Sequence, residues 1–254
     1  MIKLLISLLT FGAELIGAPN CSPTYNGCEN THVCPLITEV TTCGKGGISG
    51  YTTYQLSLVT KGEARDVYTI YGNEKHPMSL PNVYQLNSLG TNIGGYPAFL
   101  YNIQPKLRYD SWLTIGISDG NYKGYISSIG IDFAKWTETH GLLVDNGAVF
   151  MIDPTRSITP TYQFLIAQLT VPSNKDHRVV VNAQGNMESD RIPDWTEFGI
   201  VFHIPRITTP PKDCAVWYDG CHTCQVNNGN LIACDKHPCE EMTKPHCISH
   251  TPPH

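Results

Sequence analysis

The sequence predicts an all-β fold: an antiparallel two-sheet sandwich, jelly-roll-like or immunoglobulin-like, with small disulfide-rich segments at its N- and C-terminal ends. Three observations predict it. Short runs rich in Val, Ile, Tyr and Phe recur through the middle of the chain, each bounded by turn residues. Gly and Pro number 22 and 18 and Tyr 13, a mixture of turn formers and β-favouring aromatics. The ten cysteines avoid that middle and gather at the ends, four in the head and six in the tail. A closed barrel is the second architecture such a pattern allows.

The chain opens "MIKLLISLLTFGAELIGAPNC". Lys3 provides a positive start, residues 4–11 are apolar, and small residues follow at Gly12, Ala13, Gly17 and Ala18. This is the pattern of a secretory signal peptide over residues 1–18. The apolar run is shorter than the roughly 20 residues a membrane-spanning helix needs. Cleavage after Ala18 and after Gly17 both remain open, and the alternative is a buried N-terminal helix. The leader implies an extracellular location, secreted or at a cell surface, with no membrane contact in the mature form.

Compartment decides the cysteine chemistry. In an oxidising environment clustered cysteines form disulfide frameworks, whereas in the cytosol the same clusters bind metal. The head cluster, Cys21, Cys28, Cys34 and Cys43, falls within a cysteine-rich segment, residues 19–48. The tail cluster, Cys214, Cys221, Cys224, Cys234, Cys239 and Cys247, falls within residues 207–254. All ten are expected to be oxidised. The pairing is open: four cysteines allow three connectivities and six allow fifteen.

Between the clusters, residues 49–206 read as one sandwich domain. "YTTYQLSLVT" alternates Tyr54, Leu56 and Leu58 against Gln55, Ser57 and Val59, the period of two of a half-buried strand. "DVYTIYG" follows a polar turn, and "SWLTIGIS" ends at Asp119-Gly120. "GAVFMI", "YQFLIAQLTV", "HRVVVNAQG" and "EFGIVFHI" complete the set of expected strands. Residues 133–140 are the only candidate for a helical turn or two. Gln168, inside an apolar strand, needs backbone partners, and a bulge would supply them. Gly185 reads as a strand end where positive φ is permitted. Trp136 and Trp195 read as core anchors.

The ordered motifs "AQLTV" (residues 167–171), "NAQG" (residues 182–185) and "WTEFGIVF" (residues 195–202) resemble an uncharacterised β-sandwich module of secreted surface proteins of microalgae and marine bacteria. The resemblance covers about residues 50–204. It implies a sandwich fold and an exterior location, and it carries no activity.

The tail spacing, "CAVWYDGCHTCQVNNGNLIACDKHPCEEMTKPHC", admits three chemistries. Cys221, Cys224, Cys234 and Cys239 have ligand types suited to a four-thiolate zinc site. Disulfides are the expectation instead, because so short a segment buries too little core to stand without staples. The run also resembles pacifastin-type and von Willebrand factor C-type modules, with Cys221, Cys224, Gly229, Cys234 and Cys239 in matching places. That resemblance implies a protease-inhibitor loop presenting Lys236. Val226 stands where a pacifastin-type module has a second cysteine, a departure from the pattern.

Other chemistry is sparse. The motifs of serine hydrolases, zinc proteases and phosphate-binding loops are absent from the sequence. Asp119, Asn121, Asp145 and Asn146 have oxygen ligands suited to Ca²⁺, although such turns are ordinarily only turns. No other cofactor is expected. Asp132, Asp153 and Glu197 are the carboxylates that a glycosidase pair would draw on. A net charge of −5 without basic runs argues against nucleic acid and anionic membranes as partners. The sequence therefore predicts a noncatalytic extracellular structural or adhesion protein. Its expected partners are extracellular proteins or glycans, or further copies of itself. The alternatives are a secreted carbohydrate binder and a protease inhibitor.

Overall fold

The computed structural model describes residues 28–40, 47–48, 51–86, 91–155, 162–173, 175–189, 194–206, 210, 212–219, 222–235 and 246–250. Within them the chain is all-β, built of antiparallel sheets, as the strand periodicity predicts.

The first sheet has the order β1-β2-β9-β5. These strands are β1 (Val33–Glu39), β2 (Tyr51–Thr60), β9 (Gln163–Pro172) and β5 (Trp112–Leu113). Strand β1 pairs along β2 from Val33↔Thr60 to Glu39↔Tyr54. The sandwich thus recruits residues ahead of position 49, where the sequence places the domain boundary. The reason is local: "VCPLITE" carries its own apolar residues, among them Val33 and Leu36, both buried. The Cys28–Cys34 disulfide lies at the start of this strand.

The second sheet runs β6-β8-β3-β10-β4-β7, with β11 on the other edge of β10. Its members are β3 (Thr69–Gly72), β4 (Met78–Leu80), β6 (Ile126–Ile129), β7 (Leu142–Val144), β8 (Gly147–Met151), β10 (His177–Asn186) and β11 (Asp194–Ile204). The two sheets enclose one apolar core that includes Leu56, Leu58, Ile70, Val149, Ile166, Leu169, Val181 and Phe202. Both predicted anchor tryptophans are buried in it. Their indoles donate to backbone, Trp136 Nε1 to the carbonyl of Pro81 at 2.9 Å and Trp195 Nε1 to that of Asp66 at 3.1 Å.

Three expectations need correction. Strand β2 is not half-buried. Thr53 and Ser57, on the face opposite Leu56, are buried too, and Thr53 Oγ1 lies 2.7 Å from Thr170 Oγ1 of β9. "SWLTIGIS" is a strand only at Trp112–Leu113. Beyond it Thr114 Oγ1 bonds back to the carbonyl of Ile117, and Gly116 takes φ 73°, which breaks the pleat. Residues 133–140 do make one helical turn, the 3₁₀ turn Phe133–Lys135, as expected. Gly185 does stand at the end of β10, next to its last residue Asn186, but it does not use positive φ. A Cβ there would overlap the carbonyl of Asp66 and the Trp195 ring, so the glycine is required by close approach.

Two bulges shape the sheets. Opposite Leu56 and Ser57, strand β9 carries the extra residue Ile166. Between β10 and β11 the register skips at Asn182, and Gly199 takes φ 64°. Asn182 is buried and spans the break. Its Oδ1 accepts from the Gly199 amide at 2.9 Å, and its Nδ2 donates to the carbonyls of Tyr71 and His76.

The tail forms its own sheet, β14-β13-β12-β15, from β12 (Cys214–Tyr218), β13 (Thr223–Asn227), β14 (Asn230–Cys234) and β15 (His246–His250). Disulfides join Cys214 to Cys247 and Cys224 to Cys234. Asn228 and Gly229 both have positive φ, the two-residue Asn-Gly turn suited to the twist of a hairpin. Among the described residues no helix is long and apolar enough to cross a membrane.

Candidate functional site

The segment of residues 81–111 carries the candidate site. Trp112 and Leu113 are neighbours in β5, so their side chains point to opposite faces of the first sheet. Leu113 enters the main core. Trp112 joins a second, smaller cluster with Tyr96 and Leu107, flanked by Leu86, Leu100, Tyr101 and Leu165. The described part of the segment, with its helical turn α1 (Leu100–Ile103) and a 3₁₀ turn at Pro105–Tyr109, therefore packs on the outer face of that sheet.

Asp110 fastens the segment. Its side chain is 1 % exposed. Oδ1 accepts from the Leu86 amide at 2.7 Å, Oδ2 accepts from the Tyr96 hydroxyl, and the Ser111 amide donates as well. The Tyr96 oxygen in turn accepts from the Thr91 amide at 3.2 Å. Gln168 behaves as its burial requires. Its Nε2 donates to the carbonyls of Arg108 and Asp110 at 3.0 and 2.9 Å, close to the β9 bulge. The Ser111 hydroxyl accepts from the Thr170 amide at 2.9 Å. Both contacts tie the segment to β9.

Burial pushes the Asp110 carboxyl up to about 6, because desolvation outweighs the stabilisation from Tyr96, Leu86 and Ser111. The Tyr96 hydroxyl is also pushed up, first by burial and then by its bond to Asp110.

A cleft of about 210 Å³ opens beside this carboxyl. Gln85, Thr91, Asn92, Phe133 and Thr137 line it, with Trp136 among its walls. Among the described residues, Gln85 Nε2 is itself inaccessible and has no hydrogen-bond partner, as holds also for Trp112 Nε1 and Trp217 Nε1. An unpaired buried donor costs on the order of 1–3 kcal/mol. Among the described residues no lysine or arginine lines the cleft. Sequence reasoning missed this site because Gln85, Asn92 and Asp110 lie in an irregular segment with no periodicity. The one usable signal was composition: a 30-residue stretch without strand pattern between strand-like runs is rarely idle.

The residues singled out from the sequence lie elsewhere. Glu197 on β11 accepts from the amides of Thr31 and His32 and from His32 Nδ1, at 3.0–3.2 Å. The His32 ring stacks on Trp195, with centroids 5.5 Å apart. Glu197 thus clamps the chain ahead of β1 to β11. Asp132 pairs with Lys135 at 3.3 Å on the surface. Asp153 accepts from the amide and hydroxyl of Thr155. The three carboxylates serve three different local contacts. Asp119 accepts from the Asn121 amide at 2.9 Å, an Asx turn. Among the described residues no three His, Cys, Asp or Glu side chains gather as a metal site.

Cys224 and Cys234, two of the four thiolates a zinc site would use, are bonded to each other. Val226, in place of the second pacifastin-type cysteine, packs in the small tail core with Cys214, Trp217 and Cys224. Cys21, Cys43, Cys221, Cys239 and Lys236 lie outside the described residues, as do the predicted leader and the inhibitor loop. Several of the described tyrosines serve packing. Tyr68, Tyr122 and Tyr125 pack on the main core, and Tyr96 and Tyr101 belong to the small one.

Fold and site define a class: an all-β, two-sheet sandwich with disulfides and a small polar cleft beside an irregular flap. No protein family, curated protein or solved structure matches the chain, so its function is read from its own residues.

Proposed function

We propose that the protein is a noncatalytic extracellular structural or adhesion protein of a cell surface or matrix. The observation that carries this reading is the covalent bracing. Cys28–Cys34, Cys214–Cys247 and Cys224–Cys234 are disulfides at both ends of a sandwich, and such bonds persist in oxidising compartments. The leader-like residues 1–18 point the same way. Against catalysis, Asp132, Asp153 and Glu197 are each occupied by local contacts and do not meet in a cleft. The polar cleft beside Asp110 favours a second reading, a secreted carbohydrate binder, which is compatible with adhesion.

The test is expression of the full chain with its own N-terminus in secretory cells. The expected result is protein in the medium or on the matrix fraction, with no free thiols under denaturing, non-reducing titration. It should turn over none of a panel of aryl glycosides, esters and peptides. Retention inside the cell with free thiols, or turnover that follows the purified protein, would overturn the reading.

A further inference from the structure

We infer that the turn at residues 97–108 docks the protein onto an anionic lipid surface. Phe99 and Ile103 enter the headgroup boundary, and Lys106 and Arg108 meet the lipid phosphates. The inference goes beyond the adhesion reading and does not depend on it.

The starting point is which side chains the turn hides and which it leaves out. Phe99 has right-handed helical backbone angles and leads into α1. Phe99 and Ile103, four residues apart, therefore lie on one side of the turn. They are 64 % and 74 % exposed. Leu100 and Tyr101, between them, pack instead against the small cluster of Tyr96, Leu107 and Trp112. The turn is thus apolar on both sides, and among the described residues only its inner side is packed. A lone exposed apolar residue is ordinary. Two large ones on one helical turn make a face, and a face with a polar rim marks an interaction site.

Charge selects the partner. Lys106 and Arg108, three and five residues after Ile103, are both exposed. The Arg108 guanidinium lies 4.9 Å from the centroid of the Tyr101 ring, which holds it beside α1. Residues 81–109 contain no Asp or Glu. Asp110 is buried, and Asp119, which bridges to Gly95, accepts from the Asn121 amide. The net charge of −5 is an average over the chain, and the argument it gives against anionic membranes does not extend to this turn.

Apolar side chains beside cations match the boundary between acyl chains and anionic headgroups. The backbone suits that boundary too, where unpaired amides are costly. The amides of Leu100, Tyr101, Asn102 and Gln104 donate to the carbonyls of Pro97, Ala98, Phe99 and Leu100, and Pro97 and Pro105 have no N–H. A protein partner of standard size covers about 800 Å² on each side, more than one helical turn supplies. The base is fixed: Leu107 is fully buried, and Gln168 Nε2 donates to the Arg108 carbonyl. The turn is therefore presented without being ordered on binding.

The experiment sediments the full-length protein with vesicles of phosphatidylcholine alone and of phosphatidylcholine mixed equally with phosphatidylglycerol. Binding to the mixed vesicles is expected, weakened by added salt, with little binding to phosphatidylcholine alone. Lys106→Gln with Arg108→Gln should weaken it about tenfold or more. Phe99→Ser with Ile103→Ser should weaken it comparably, with a melting temperature close to that of the parent because both side chains are exposed. Ile129→Ser with Leu143→Ser, which removes two equally exposed apolar side chains of the other sheet, should leave binding unchanged. No binding to the mixed vesicles would overturn the inference. So would full binding by the Phe99/Ile103 variant, which would leave only charge attraction, or an equal loss in the Ile129/Leu143 variant, which would place the contact elsewhere. Each of these failures leaves the adhesion reading standing.

Discussion

The sandwich and the tail sheet are both antiparallel β, yet they are held by different forces. The sandwich encloses a continuous core from Val33 to Ile204. Among the described residues the tail's hydrophobic cluster is Cys214, Trp217, Cys224 and Val226, with Cys247 against them, and every residue of β14 is exposed. Its stability comes instead from covalent closure. In the chain-entropy treatment the Cys214–Cys247 bridge, spanning 33 residues, is worth about 4 kcal/mol, and Cys224–Cys234, spanning 10, about 3 kcal/mol. The difference teaches that similar strand patterns need a staple when the sheet has no second layer to pack against.

The largest effect should come from removing the long staple. Cys214→Ala with Cys247→Ala is expected to abolish hydrogen-exchange protection in β13 and β14. Protection in β2, β9 and β10 should persist. Equal loss in both regions would show that they share one core, and the comparison would fail.

The converse is a cavity in the sandwich. Leu56 is fully buried, so Leu56→Ala should lower the stability measured by denaturant unfolding by about 2–5 kcal/mol. The tail amides should keep their protection. A loss under about 1 kcal/mol would mean that the site collapses without a cavity, contrary to a tightly packed core.

The flap separates the regions further, because its stability should depend on pH. Asp110 has a folded pKa of about 6 against an ordinary 3.8. Between those values the folded state holds the proton more tightly than the unfolded one. Its contribution is therefore fully present below about pH 4 and is lost as pH rises through 6. Two pK units correspond to on the order of 3 kcal/mol. Asp110→Asn should remove that decline, read from denaturant unfolding at a series of pH values. A parent protein that gains stability over the same interval, and an Asn variant that follows it, would refute the assignment.

The smallest effect has the opposite sign. His177 is buried and its Nε2 lies 2.7 Å from the carbonyl of Pro172. Burial lowers its pKa, so it contributes stability that is lost as pH falls below the ordinary histidine range. His177→Gln keeps a side-chain donor for Pro172 and should flatten the acid limb of the profile. An unchanged acid limb would show that His177 titrates normally.

Much of the fold was legible in the sequence. The runs that became β2, β8, β9, β10 and β11 announced themselves by β-branched and aromatic residues between turn formers. Gln168 was readable as a buried amide needing backbone partners. Trp136 and Trp195 were readable as anchors, because large aromatic side chains dominate a core wherever they fit. The Asn228-Gly229 turn was there to be read as a hairpin signal.

What the sequence by itself determined is the strand set, the fold class and the division of labour between an apolar middle and stapled ends. Those follow from local periodicity and composition, which each segment carries alone. Only the tertiary structure decided the rest. It placed Val33–Glu39 in the sandwich, because a strand's sheet is chosen by the partner edge it meets, here β2. It showed that Gly185 answers to the ring of Trp195 and the carbonyl of Asp66 rather than to its own φ. It gathered Gln85, Asn92, Asp110 and Thr137 around a cleft, although they are spread over more than fifty positions of the sequence. Asp110's raised pKa has the same origin: burial is set by every element packed around a group, and no short window of sequence contains those elements.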